Sequence, residues 1–138
     1  MESIVLITGA SGGIGRALAH QLHSQGLRVA VVGRDADRLT HVDAALRIVA
    51  DTTTPEGAAH AVAACQESLG AAPSLLAHCV GSTLIAPLHR TSAQVYREVM
   101  RVNLDSAVFM LQAWIAALQG GSGAAVMASS VVARITSR

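Results

Sequence analysis

Aromatic side chains are almost missing from this chain: Tyr96, Phe109 and Trp114 make up the whole 2 % share. Its core must therefore be aliphatic, since 51 % of the 138 residues are nonetheless hydrophobic. Such an Ala, Val, Leu and Ile mixture suits parallel strands buried on both faces, under helices with small side chains. No apolar run approaches the roughly 18 residues a membrane-crossing helix needs, so no spanning segment is expected. Charge is sparse as well, at 14 % of residues with a formal net charge of +1. No basic stripe interleaves with aromatics, which argues against nucleic acid as a partner. Met1-Glu2-Ser3 carries no basic leader, so a cytoplasmic protein is expected rather than a secreted one. The two cysteines, Cys65 and Cys79, stand at no metal-ligand spacing. They read as buried small hydrophobes, with neither a metal nor a disulfide expected.

What is present is an alternation of short apolar runs and helical patterns. Ser3–Ile7 reads as a strand that ends at Thr8-Gly9. Ile14, Leu18 and Leu22 then recur at helical spacing over Ile14–Gln25, with Gly26 as the stop. Arg28–Val32 is a second strand, and Asp35 opens a short helix to about Thr40. Leu46–Ala50 is a third strand. Thr53 and Glu56 have capping-box spacing around Pro55, which predicts a helix to Leu69 that Gly70 ends. Leu75–His78 is a fourth strand. Thr91 or Ser92 starts a long helix that reaches about Leu118, and the glycines from Gly120 to Gly123 break it before a fifth strand at Ala124–Ala128. Strands and helices at this spacing imply right-handed crossovers onto a parallel sheet. No repeat, linker or boundary divides residues 1–138, which read as a single dinucleotide-binding domain.

The turn after the first strand is Thr8-Gly9-Ala10-Ser11-Gly12-Gly13-Ile14-Gly15. Glycines there let the chain turn sharply off the strand, let backbone amides approach a pyrophosphate, and let helix pack close to strand. The free N–H groups and dipole of the helix start would face the phosphates. An ordinary tight turn also needs small residues, but the position on the first strand–helix turn favours cofactor binding. Gly9, Ser11, Gly12, Gly13, Ile14 and Gly15 are the candidate contacts. The pattern of Thr8, Gly9, Gly13 and Gly15 resembles the fingerprint of the short-chain dehydrogenase/reductase family, and later motifs follow in order along the whole chain. The resemblance implies an α/β, Rossmann-like, doubly wound parallel sheet of order 3-2-1-4-5, truncated before the family's later strands. Helices after strands one and two would cover one face, those after strands three and four the other, with the cofactor at the switch point between strands one and four.

The second strand runs into Gly33-Arg34-Asp35. Sheets that bind NAD usually end this strand with an acid on the ribose hydroxyls; Gly33 has no side chain, and Arg34 is suited to pair with a 2′-phosphate. NADP(H) is thus favoured over NAD(H), unless Arg34 is only a solvated turn residue and Asp35 only a cap. In the family an acid at the place of Asp51 bonds the adenine amino group; local capping of Thr52-Thr53 is the alternative. His78-Cys79-Val80-Gly81 stands where the family usually has Asn-Asn-Ala-Gly, so only Gly81 matches as a cofactor contact. His78 either replaces the missing hydrogen bonding or is a buried neutral imidazole, the latter preferred.

Asn103 sits where the resemblance places an Asn that kinks the long helix and holds a water of the proton relay; a surface Asn is the plainer account. Ser130, with Ser129 its easily confused neighbour, matches the Ser that binds the substrate carbonyl oxygen. The family's Tyr and the Lys four residues beyond it would lie past Arg138. Tyr96 matches no catalytic position, and the chain has no lysine at all. A longer protein is therefore expected, with a bare hydrophobic fifth strand in this portion and a homo-oligomer in the longer one. The implied reaction is hydride exchange between NADP(H) and a small-molecule carbonyl or alcohol. A non-catalytic dinucleotide-binding module is the rival, and an epimerase-like enzyme a third reading. Ser82–Arg90 is a candidate pocket rim, where Leu84, Ile85 and Leu88 suggest either an apolar substrate or loop packing.

Overall fold

The computed structural model describes residues 3–130. Five strands, β1 (Ile4–Thr8), β2 (Arg28–Gly33), β3 (Leu46–Val49), β4 (Leu75–His78) and β5 (Ala124–Met127), form one sheet in the order β3-β2-β1-β4-β5. All pairings are parallel, with Val5 beside Val29 on one flank and Leu75 on the other. Helices α1 (Gly13–Ser24), α2 (Ala36–Leu39), α3 (Pro55–Leu69), α4 (Ala93–Met100) and α5 (Ser106–Leu118) lie on the connections. This is the parallel sheet that the alternation predicts, in the doubly wound order that the resemblance implies.

Alternate residues of each strand point to opposite faces, and the core divides accordingly. Ile4, Leu6, Ala30, Val32, Ile48 and Leu76 pack under α3 and α5, against Ala58, Ala61, Val62, Cys65, Met110 and Trp114. Val5, Ile7, Val29, Val31 and Ala77 pack under α1 and α2, against Ala19, Leu39 and the following Val42. Helices after the first two strands thus take one face, and those after the next two the other. Alanines on α3 let it lie close to the sheet, and Trp114 supplies the bulk that the small residues lack. Its indole Nε1 donates to the Pro73 carbonyl at 2.7 Å, so burial leaves no polar atom unpaired.

Three details differ from the sequence expectation. The N-cap of α3 is Thr54, not Thr53: the Thr54 hydroxyl accepts from Gly57 N at 3.0 Å. Pro55 starts the helix, so the capping position falls on the residue before it, and the Thr53 hydroxyl is left to donate to Asp51 instead. The long helix is not uniform; a π-helical turn, Arg101–Asp105, separates α4 from α5. Its N-cap is Ser92, whose hydroxyl accepts from Val95 N at 3.2 Å. Cys65 is buried as expected, but Cys79 is only half-buried, because it lies past the end of β4 at the mouth of the cleft described below.

Candidate functional site

The carboxyl ends of β1, β2, β3 and β4 open onto a cleft of about 510 Å³. At its floor the chain leaves β1 through Gly9, whose φ is +67°. A Cβ on Gly9 would stand 2.6 Å from the Cys79 carbonyl oxygen, and one on Gly15 would stand 2.5 Å from the Gly9 carbonyl oxygen. Neither neighbour can yield, since both are backbone, so these two glycines are what allow the loop to pass β4 and α1 to rest on it. At Gly13, by contrast, a Cβ would meet nothing within 4 Å. The N-cap of α1 is Gly12, with no side-chain bond to the helix and no acid in its first turn. The amides at this helix start therefore have no side-chain acceptor of their own, which is the environment an anionic phosphate fits. That cradle, with arginines beyond it, fits a dinucleotide.

On the β2 side the cleft is lined by Gly33, Arg34 and Arg38. Asp35 caps α2 by accepting from Arg38 N at 3.1 Å, while the Arg38 guanidinium donates to the Ser11 carbonyl at 3.1 Å. Sequence reasoning missed Arg38; the signal was its place in the turn that Asp35 caps, four residues after Arg34. At the end of β3, Asp51 Oδ1 accepts from Thr53 N at 3.0 Å and from the Thr53 hydroxyl at 2.6 Å. These bonds, with the nearby guanidinium charges of Arg101 and Arg34 in support, hold the Asp51 carboxyl below the usual carboxylate range. The local capping foreseen for Asp51 is thus present, and the residue also faces the cleft. Gly57 makes this possible, since a Cβ there would overlap the Asp51 carbonyl oxygen at 1.9 Å.

On the β4 side His78 is 3 % exposed. Its Nδ1 lies 2.7 Å from the Thr8 hydroxyl and its Nε2 lies 3.1 Å from the Ser106 hydroxyl. The Ser106 hydroxyl donates its single hydrogen to the Val102 carbonyl at 2.6 Å, so it must accept from His78. That assigns a hydrogen to Nε2. Burial lowers the His78 pKa and so favours the neutral ring, in which Nδ1 accepts from the Thr8 hydroxyl. Both readings of His78 therefore hold: a buried neutral imidazole that also ties β1 to the helix across β4.

Asn103 lies in the π-helical turn and grips the loop after β4. Its Oδ1 accepts from Ser82 N at 3.0 Å, and its Nδ2 donates to the carbonyls of Ser82 at 3.0 Å and Val99 at 2.9 Å. Ser130 is exposed, three residues past β5 at the same end of the sheet. Of the candidate residues, Gly9, Ser11, Gly12, Arg34, Asp51 and Gly81 line the cleft together. Gly13, Ile14, Gly15, Asn103 and Ser130 do not line it: Gly15 is packed beneath, Gly13 borders a neighbouring hollow, and the Ile14 side chain is 71 % exposed. Leu84, Ile85 and Leu88 are exposed and outside the lining of this cleft. Ser82, the first residue of the expected rim, is in the lining, whereas sequence reasoning missed Thr53 and Glu98 there; only the i,i+3 spacing of Glu98 and Arg101 hinted at a fixed pair.

Comparison with known proteins agrees with this geometry. Residues 3–138 match the family model described as short chain dehydrogenase. The A-factor type gamma-butyrolactone 1′-reductase (1S-forming) of Streptomyces virginiae is 35 % identical, over 94 % of this chain and 54 % of its own length. The cis-2,3-dihydrobiphenyl-2,3-diol dehydrogenase of Paraburkholderia xenovorans is 30 % identical, over 86 % of this chain and 46 % of its own. A solved short-chain type dehydrogenase/reductase from Mycobacterium ulcerans superimposes with a TM-score of 0.90 at 26 % identity, covering 100 % of this chain and 55 % of that one. The chain thus spans about half the length of the relatives it matches.

Proposed function

Because the chain belongs to the short-chain dehydrogenase family, a family of oxidoreductases that bind nicotinamide dinucleotides, we propose that its cleft takes NADP(H) in preference to NAD(H). The observation that carries this is the end of β2: Gly33 offers no carboxylate to the ribose, and Arg34 and Arg38 both line the cleft beside it. A 2′-phosphate would find two guanidinium groups and no facing acid on that strand. Ser11, Gly12 and the helix start would hold the pyrophosphate, and Asp51 the adenine amino group.

The cofactor would supply hydride chemistry toward a small carbonyl or alcohol. Ser130 would hydrogen-bond the substrate oxygen as charge develops on it. Asn103, through its bonds to Ser82 and Val99, would hold the π-helical turn against the loop after β4. The family's Tyr and Lys have no counterpart in these 138 residues, so the reaction is assigned to a protein that supplies them. Among the described residues no helix is long and apolar enough to cross a membrane.

Calorimetric titration with NADPH and NADH tests the cofactor assignment. Arg34→Ala should weaken NADPH by about 2 kcal/mol, roughly 30-fold, since a charge-assisted bond is removed. NADH should change by less than about threefold. Equal losses for both dinucleotides would sink the preference, and an absence of binding to either would sink the cofactor reading.

A further inference from the structure

The roles above leave unused an arginine that crosses from the π-helical turn to the end of β3. Arg101 is gripped by Glu98 through two parallel bonds, Nε to Oε2 at 2.8 Å and Nη2 to Oε1 at 2.9 Å. Its remaining arm, Nη1, donates to the Thr53 hydroxyl. A guanidinium has only donors, so the hydroxyl oxygen must accept there, and its single hydrogen is sent elsewhere. It goes to Asp51 Oδ1, 2.6 Å away, which also takes the Thr53 amide at 3.0 Å. Two donors on one oxygen fix the plane of the carboxylate. The other oxygen, Oδ2, stands 3.7 Å from Arg101 Nη1, an ion-pair distance that is beyond direct hydrogen-bond reach. Asp51, Thr53 and Glu98 all line the cleft.

We infer that Arg101, braced by Glu98, is a positioning residue for adenine recognition, acting through the Thr53 hydroxyl to hold Asp51 Oδ2 as the acceptor for the exocyclic amino group. The inference rests on the cofactor reading given above. It makes a chemical distinction that general support of the fold would not. A carboxylate held in this way accepts from the amino group of adenine and repels the carbonyl oxygen that hypoxanthine carries at the same ring position. Without Arg101 the Thr53 hydroxyl is free to turn, and the carboxylate loses its fixed plane.

The test is calorimetric titration of the 138-residue chain with NADP⁺ and with nicotinamide hypoxanthine dinucleotide phosphate. The unaltered protein should prefer the adenine form by about tenfold or more. Arg101→Ala and Thr53→Val should each reduce that preference about three- to tenfold by weakening the adenine form, with the hypoxanthine form moving less than about twofold. Thr53→Ser, which keeps the hydroxyl, should retain the preference, and the double variant should lose no more than either single one, because the residues act in one chain. The inference is overturned if Arg101→Ala weakens both forms alike, leaves both unchanged, or tightens the adenine form by freeing Asp51. It is also overturned if the unaltered protein binds both forms equally, a result that leaves the cofactor reading standing. Failure to bind either dinucleotide ends the cofactor reading, and this inference with it.

Discussion

The two faces of β4 and β5 differ sharply, although the same two strands build both. On the α5 side, Leu76 and His78 are covered by Met110, Trp114 and Ser106, and Met127 is half-buried beside them. On the α1 side, Leu75 and Ala77 stand next to Ala124 and Val126 in register, and Val126 is 69 % exposed. There Ile14, Leu18, Leu22, Leu75 and Val126 line an open apolar groove that no described element covers. Composition does not separate the faces, since both are aliphatic. The difference is which crossover helix returns to which face: α5 comes back over β4, while α1 lies over β1 and β2. Burial is thus a property of the connections and not of the strand's own hydrophobicity.

The comparison can be broken most directly at Trp114, which is 5 % exposed. Trp114→Ala should cost about 3–5 kcal/mol in urea unfolding, whereas Ile115→Ala, one residue away and facing solvent, should stay within about 0.5 kcal/mol. Similar losses for the two would mean that α5 does not close this face. A smaller effect is expected at His78. His78→Leu orphans the Thr8 hydroxyl, itself buried, and should cost about 1–3 kcal/mol.

That site also carries a pH signature. The His78 pKa is lowered by burial from the ordinary 6.5, so the unfolded chain binds the proton more readily than the folded one. Stability should therefore rise with pH up to about the ordinary value and level off above it, and fall as pH drops below 6.5. Unfolding midpoints of the unaltered protein and His78→Leu, compared across that range, isolate this contribution from the other histidines. Parallel profiles would show that His78 is not held neutral. The smallest effect belongs to the open face. Val126→Ser should change stability by no more than about 0.5 kcal/mol while lowering any self-association seen in sedimentation. A loss of several kcal/mol would mean that Val126 is covered after all.

Much of the site was legible because its chemistry is local. The glycines of the β1–α1 turn, Gly33-Arg34 after β2 and Asp51 after β3 each occupy a strand end that the alternation locates. Contacts between distant segments around the cleft were not. Arg101 meets Thr53 across 48 positions of chain, and His78 meets Ser106 across 28. No spacing rule connects such pairs. Thr53 was misassigned as a helix cap for the same reason: its hydroxyl had two local uses, and the neighbouring acid and a remote guanidinium chose between them. The π-helical turn at Arg101–Asp105 likewise appears as an ordinary helix in sequence periodicity, which Asn103 alone interrupts.

Period and punctuation in the amino-acid order were enough to specify five strands, the helices between them and the glycine bend after the first strand, because each depends on residues within a turn or two of one another; the order of the strands was what the family resemblance implied. The polar contacts between distant segments were settled by folding. Hydrogen-bond direction at Thr53 and at His78 depends on partners carried by helices that approach only when the sheet is assembled, and a single hydroxyl hydrogen can point only one way.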